Sequence, residues 1–97
     1  MLKHFVIFTF EKGFFTDENY DEYIKAFNII EDAFDGIKEV SIHRNCVDRP
    51  ANMELMIEMV LEDESVLTQY LSHPEHVRMG AKYNPHVVNR VSFDYRL

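Results

Sequence analysis

A chain of 97 residues with a formal charge of −7 is one domain with a small core, and a partner subunit would add to what it can bury. The negative balance leaves no basic stripe to release counterions from a nucleic-acid backbone, and it disfavours an anionic membrane surface. With 46% apolar and 28% charged residues, the composition is that of a globular chain and not of a disordered one.

Leu2 to Phe10 is predicted as a strand. His4-Phe5-Val6-Ile7-Phe8-Thr9-Phe10 is aromatic and β-branched, and apolar on both alternating faces, so both sides need cover. Glu11-Lys12-Gly13 breaks it. Thr16 then suits a helix N-cap, with Asp17 and Glu18 favourable in the first turn. Tyr20, Tyr23, Ile24, Phe27, Ile30 and Phe34 keep the spacing of one buried stripe, while Asp21, Glu22, Lys25 and Asp32 fall on the wet side. Gly36 is expected to end this helix with a positive φ.

Ile37 to Val47 is predicted as the second strand and Asp48-Arg49-Pro50-Ala51-Asn52 as the turn. Met53 to Leu61 alternates cleanly, with Met53, Leu55, Ile57, Met59 and Leu61 inward. Asp63 caps a short helix that buries Val66, Leu67, Tyr70 and Leu71. Pro74 opens another helical piece, which Asn84-Pro85 stops. Val87 to Tyr95 is the last strand.

The order is β-α-β-β-α-β over a single domain, residues 1–97. It is an α+β, ferredoxin-like arrangement with a four-stranded antiparallel sheet and the helices on one face. The other face carries Phe5, Ile7, Met56 and Val60. The simplest cover for that apolar area is a second copy of the same sheet, so a homodimer is expected. One cysteine, Cys46, excludes an intrachain disulfide framework. Met1-Leu2-Lys3-His4 has no secretory pattern, so a cytoplasmic location is expected. No apolar run approaches the roughly 20 residues of a bilayer span.

The densest chemistry lies in Tyr70-Leu71-Ser72-His73-Pro74-Glu75-His76-Val77. If Pro74 opens a helix, His73 lies near its N-cap and His76 in its first turn. The positive helix end disfavours a second positive charge, so His76 is expected to be neutral and able to accept a proton near pH 7. His4 alternates with Val6, Phe8 and Phe10, which points it toward the helices. Each residue also has a plainer reading: His73 as a helix corner, His76 and His4 as satisfied structural histidines, Tyr70 as a core aromatic. A metal held by His73 and His76 lacks a third ligand. Glu54 and Glu58, with Arg90, suit ion pairs within or across a dimer. His43 and His86 are expected at the surface. Cys46 has no neighbour to lower its pKa, and the three glycines stand alone, so neither a thiolate nucleophile nor a phosphate loop is expected.

The chain resembles the stress-responsive A/B barrel (Dabb) domains over nearly its whole length. The resemblance rests on Leu2-Lys3-His4-Phe5-Val6, Arg44-Asn45, Tyr70-x-x-His73-Pro74-x-His76 and Arg90-Val91-Ser92-Phe93-Asp94-Tyr95. It implies a ferredoxin-like subunit that pairs sheet to sheet into a dimeric α+β barrel. A plant polyketide cyclase of the family works without metal or organic cofactor. Its catalytic histidine matches His76, a supporting tyrosine matches Tyr70, and a first-strand histidine matches His4. The present chain carries Leu55 where that cyclase has a further histidine.

Two functions follow as expectations. One is a homodimer that binds a small, largely apolar molecule between sheet and helices, with no cofactor and no catalysis of its own. The other is a cofactor-independent cyclase, isomerase or lyase with His76 as base, Tyr70 and His4 in support. A remoter reading is a cofactor-free monooxygenase or haem-handling protein. An open apolar pocket reaching His76 and Tyr70 favours catalysis. An interior filled by Phe8, Phe27, Phe34 and Leu71 favours binding alone.

Overall fold

A computed structural model describes residues 1–97. The elements are β1 (Leu2–Phe10), α1 (Asp17–Ala33), β2 (Ile37–Arg44), β3 (Leu55–Leu61), α2 (Glu64–Leu71), α3 (Pro74–Tyr83) and β4 (Val87–Arg96). A single 3-10 turn, Asn84–His86, joins α3 to β4. The strands run in the order β2-β3-β1-β4, every pair antiparallel. This is the ferredoxin-like arrangement, with the second helix in two pieces. β1 is central, as its apolar character on both faces requires. Its register sets Phe8 against Leu55 on one side and against Arg90 on the other.

Local chemistry starts the helices where the sequence suggests. Thr16 Oγ1 accepts the Asn19 backbone N–H at 3.2 Å, and Asn19 Oδ1 accepts the Thr16 N–H at 2.9 Å. The two bonds close a capping box at the start of α1. Asp63 caps α2 through the Ser65 N–H at 2.9 Å. One stripe of α1, Tyr23, Ala26, Phe27 and Ile30, is buried against Leu55, Ile57, Met59 and Leu61 of β3 and the even residues of β1. Phe10, Phe15, Tyr23 and Tyr83 interlock at one end of this core, with Phe10 and Phe15 stacked at 4.7 Å between ring centres.

Five details differ from the sequence reading. The helix α1 ends at Ala33, and Phe34 caps it in an extended conformation. Gly36 does not take a positive φ, whereas Gly13 does, at +76° in the turn after β1. What Gly36 supplies is room: a Cβ there would lie 2.5 Å from Val66 Cγ2. The β2–β3 connection is wider than expected, because strand pairing stops at Arg44 and resumes at Leu55. One further backbone bond, from the Asn45 N–H to Glu54 O at 3.0 Å, closes the loop, within which Asn52 Nδ2 donates to Asn45 Oδ1 at 3.0 Å and Asn45 Nδ2 to Val47 O at 2.7 Å.

Glu22, placed on the wet side, is half-buried and collects Arg78, Lys82 and the Tyr83 hydroxyl from α3. The Lys82 contact first, with Tyr83 and Arg78, holds its carboxyl down to about 2. The network fixes α3 against α1. Leu71, placed in the buried face of α2, is 44% exposed, because α2 ends there and the chain turns at Ser72.

The outer face of the sheet has no helix. Phe5, Ile7, Met56 and Val60 are half-buried there. β4 extends the apolar area with Val91, Phe93 and Tyr95, and Phe93 is 64% exposed. Glu58 sits among them, paired with Lys3 at 3.1 Å and His43 at 3.5 Å. No helix is long and apolar enough to cross a membrane.

Candidate active site

The helices do not cover β4, and none of its residues is buried. A cavity of about 310 Å³ therefore remains between β1 and β4 on one side and the α2–α3 corner on the other. Its size is at the low end for small-ligand pockets, which run about 300–1,000 Å³. Val6, Phe8, Phe27, Leu67, Leu71 and Met79 supply apolar wall. His4, Tyr70, His76, Arg90 and Asp94 supply the chemistry. Phe8, Phe27 and Leu71 thus line the space without filling it. Phe34 packs elsewhere, edge-on against His73 at 5.7 Å.

The α2–α3 corner sets the histidine roles. Pro74 is at the first position of α3, and His73 is its N-cap. His73 Nδ1 accepts the Glu75 backbone N–H at 3.0 Å, so this residue is spent on the cap. One turn on, His76 Nδ1 lies 3.0 Å from the Leu71 carbonyl oxygen. A carbonyl only accepts, so Nδ1 carries the proton and Nε2 keeps its lone pair. The ring stands edge-on to Tyr70 at 5.2 Å and to Phe27 at 6.5 Å between centres. Burial pushes the His76 pKa below its usual 6.5, with Arg90 and His4 acting in the same direction and the Leu71 bond opposing. The imidazole is therefore neutral at pH 7.

Tyr70, His4 and Asp94 form a second line of polar groups. The Tyr70 hydroxyl is 3.1 Å from His4 Nε2, and His4 Nδ1 is 2.5 Å from Asp94 Oδ1. Asp94 accepts the Nδ1–H in either charge state of His4. With a neutral His4, the Tyr70 hydroxyl donates to Nε2. With an imidazolium, Nε2–H donates to the phenol oxygen, and the hydroxyl hydrogen is free for a third partner. Burial raises the Tyr70 pKa, with the Asp94 charge adding to it, so the phenol stays protonated.

His4, Tyr70 and His76 border one cavity, a convergence that only the family resemblance implied. Asp94 was visible only as part of the closing motif. The signal that would have singled it out is the strand register, which sets His4 directly opposite Asp94. Arg90 was placed with Glu54 and Glu58, and the register corrects this. Its partner position is Phe8, on the helix side, so it faces the cavity. Glu58 pairs with Lys3 and His43, and Glu54 accepts the Phe10 N–H at 3.0 Å. His43 is exposed, while His86 is half-buried and stacked on Phe14 at 4.1 Å. Cys46 is exposed. No group of three histidine, cysteine or acidic side chains comes together with the geometry to hold a metal ion.

A ferredoxin-like subunit with one bare apolar sheet face and a cavity bordered by His4, Tyr70 and His76 under the other defines a half-barrel of the dimeric α+β type. Residues 2–97 match the family described as Stress responsive A/B Barrel Domain, and the chain belongs to that family. A dimeric ferredoxin-like protein of unknown function from Thermobifida fusca YX superposes with a TM-score of 0.82 at 20% identity, over 99% of this chain and 90% of that one. A Dabb family protein from Mesorhizobium loti MAFF303099 gives 0.74 at 23% identity, over 99% and 95%. The hydroxynitrile lyase of Passiflora edulis gives 0.76 at 14% identity, over 99% and 92%. At these identities the likeness is one of fold. No curated protein matches the chain.

Proposed function

We propose that this chain is a cytoplasmic homodimer, paired through the outer sheet face, whose cavity takes a small, largely apolar molecule and moves a proton on it without a cofactor. The observation that carries the reading is the unspent Nε2 of a neutral His76 at the wall of an open 310 Å³ cavity. His76 is the base. It removes a proton from a carbon beside a carbonyl, the class of step common to aldol closure, isomerisation and lyase chemistry. Negative charge then grows on the carbonyl oxygen, and Tyr70 donates to it in the state in which a His4 imidazolium gives its Nε2–H to the phenol oxygen and its Nδ1–H to Asp94. The structural likeness to a hydroxynitrile lyase is in keeping with acid–base chemistry on this fold. The exposed apolar residues Val91 and Phe93 support the homodimer, as do solved structures of this fold described as dimeric.

The test is deuterium wash-in at the α-carbons of 4-phenyl-2-butanone in D2O, followed by proton NMR. The wild-type chain accelerates exchange over buffer. His76→Ala returns it to the buffer rate with the circular dichroism unchanged, and Tyr70→Phe loses less. Equal exchange in wild type and His76→Ala removes the catalytic part and leaves ligand binding alone.

A further inference from the structure

Arg90 is the one charged side chain of the cavity wall that proton transfer does not use. Its guanidinium lies over the Phe8 ring, 5.1 Å from the centroid, and Nη2 donates to Asn84 Oδ1 at 2.5 Å. These contacts fix the plane of the fork from one side. Asn84 is a neutral acceptor, and a guanidinium has five N–H donors. None of the ion pairs in the fold includes Arg90. The only carboxylate in the cavity wall, Asp94, is engaged by His4 at 2.5 Å. The cavity therefore holds a positioned cation with no anion of its own.

From this arrangement we infer that Arg90 is the anion anchor of the cavity and that its ligand is a small apolar acid. The carboxylate lies on the guanidinium, and the apolar body runs along Phe8 and Phe27 toward His76 and Tyr70. This inference rests on the function proposed above and names the ligand class for that same site. A carboxylate matches the guanidinium fork with two parallel hydrogen bonds, which an amide or ketone cannot do. The net charge of −7 does not attract such a ligand at long range. Its effect fades beyond about 8 Å at physiological salt, so the local cation decides recognition. The geometry also separates the two ends of the ligand: Arg90 projects from β4, whereas His76 projects from α3. An acid anchored on β4 presents a distal carbonyl with the carbon beside it, and not its carboxylate, to Tyr70 and His76.

The test compares 3-phenylpropanoate with the uncharged 3-phenylpropanamide by calorimetric titration of the full chain at pH 7.5, with the His76 ring resonances followed by NMR. The carboxylate is expected to bind about tenfold tighter or better, since a charge-assisted bidentate contact is worth at least that ratio. Both ligands shift His76. In Arg90→Gln the two affinities converge to within about twofold while the amide affinity holds, and Arg90→Lys keeps part of the preference. Equal affinities in the wild type overturn the inference, and so does a preference that survives in Arg90→Gln. Amide binding with a His76 shift and no carboxylate preference removes the anchor but leaves the cavity function standing. Failure of both ligands to bind removes both.

Discussion

The Tyr70 hydroxyl and His4 Nε2 meet at 3.1 Å although 66 positions separate them. The contact ties the end of α2 to the middle of the sheet, and it continues to Asp94 on the neighbouring strand. Tyr70 and His4 are both buried, at 2% and 6% exposure, so neither group can exchange its partner for bulk water. The same bond that holds the corner aims the phenol at the cavity.

Tyr70→Phe is therefore expected to destabilise the fold as well as to slow turnover. Removing the hydroxyl leaves a buried ring nitrogen without a partner, at a cost of about 1–3 kcal/mol. Urea unfolding followed by circular dichroism measures it. A loss below about 0.5 kcal/mol would mean that the bond contributes nothing to the corner.

The His76 titration sets the pH dependence. Its folded pKa is below 6.5, and the base is the neutral form. Activity should be flat above pH 6.5 and fall as pH drops through the lowered value. The stability that neutral His76 contributes runs the same way: it is present above 6.5 and lost toward acid. Arg90→Gln removes one of the charges holding the proton off, so the acid limb should move up. NMR titration of the His76 ring reads the value directly, and an acid limb above 6.5 in the wild type would contradict the assignment of the base.

Light scattering at micromolar concentration is expected to give about twice the 11.5 kDa chain mass. Ile7→Asp or Phe93→Asp should shift the mass toward the monomer, because each places a charge where the two sheets meet. A well-folded wild-type monomer would remove the sheet-to-sheet dimer.

Phe27 is 3% exposed and also forms part of the cavity wall. Truncation to Ala should cost about 3–5 kcal/mol, a large share of the roughly 5–10 kcal/mol expected of so small a domain. A loss under about 1 kcal/mol in a denaturant titration would mean that α1 is not held by this stripe.

The sequence by itself determined the order of elements and the sidedness of most of them. Period-2 alternation in β3 and the 3.6-residue stripe of α1 are local signals, and burial enforces them because a shift of one residue would turn the apolar set to water. Thr16 and Asp63 marked helix starts for the same reason: the groups they satisfy are within three residues, and Pro74 marked one because its missing N–H costs nothing at the first helical position. A neutral His76 was expected from the helix end beside it, but what lowers its pKa in the fold is first of all burial, which was not visible there.

What only the tertiary structure decided is which distant residues became partners. Gly36 is required by Val66, 30 positions away, and not by its own backbone angles. Glu22 reads as a solvated acid on α1 until α3 brings Arg78, Lys82 and Tyr83 to it. The β1–β4 register sets Asp94 behind His4 and turns Arg90 into the cavity. A one-residue slip would exchange Asp94 and Arg90 for Tyr95 and Val91, or for Phe93 and Asn89. Strand pairing is a long-range choice with no signature in the sequence of either strand alone. The cavity chemistry that depends on it therefore became readable only when the sheet was assembled.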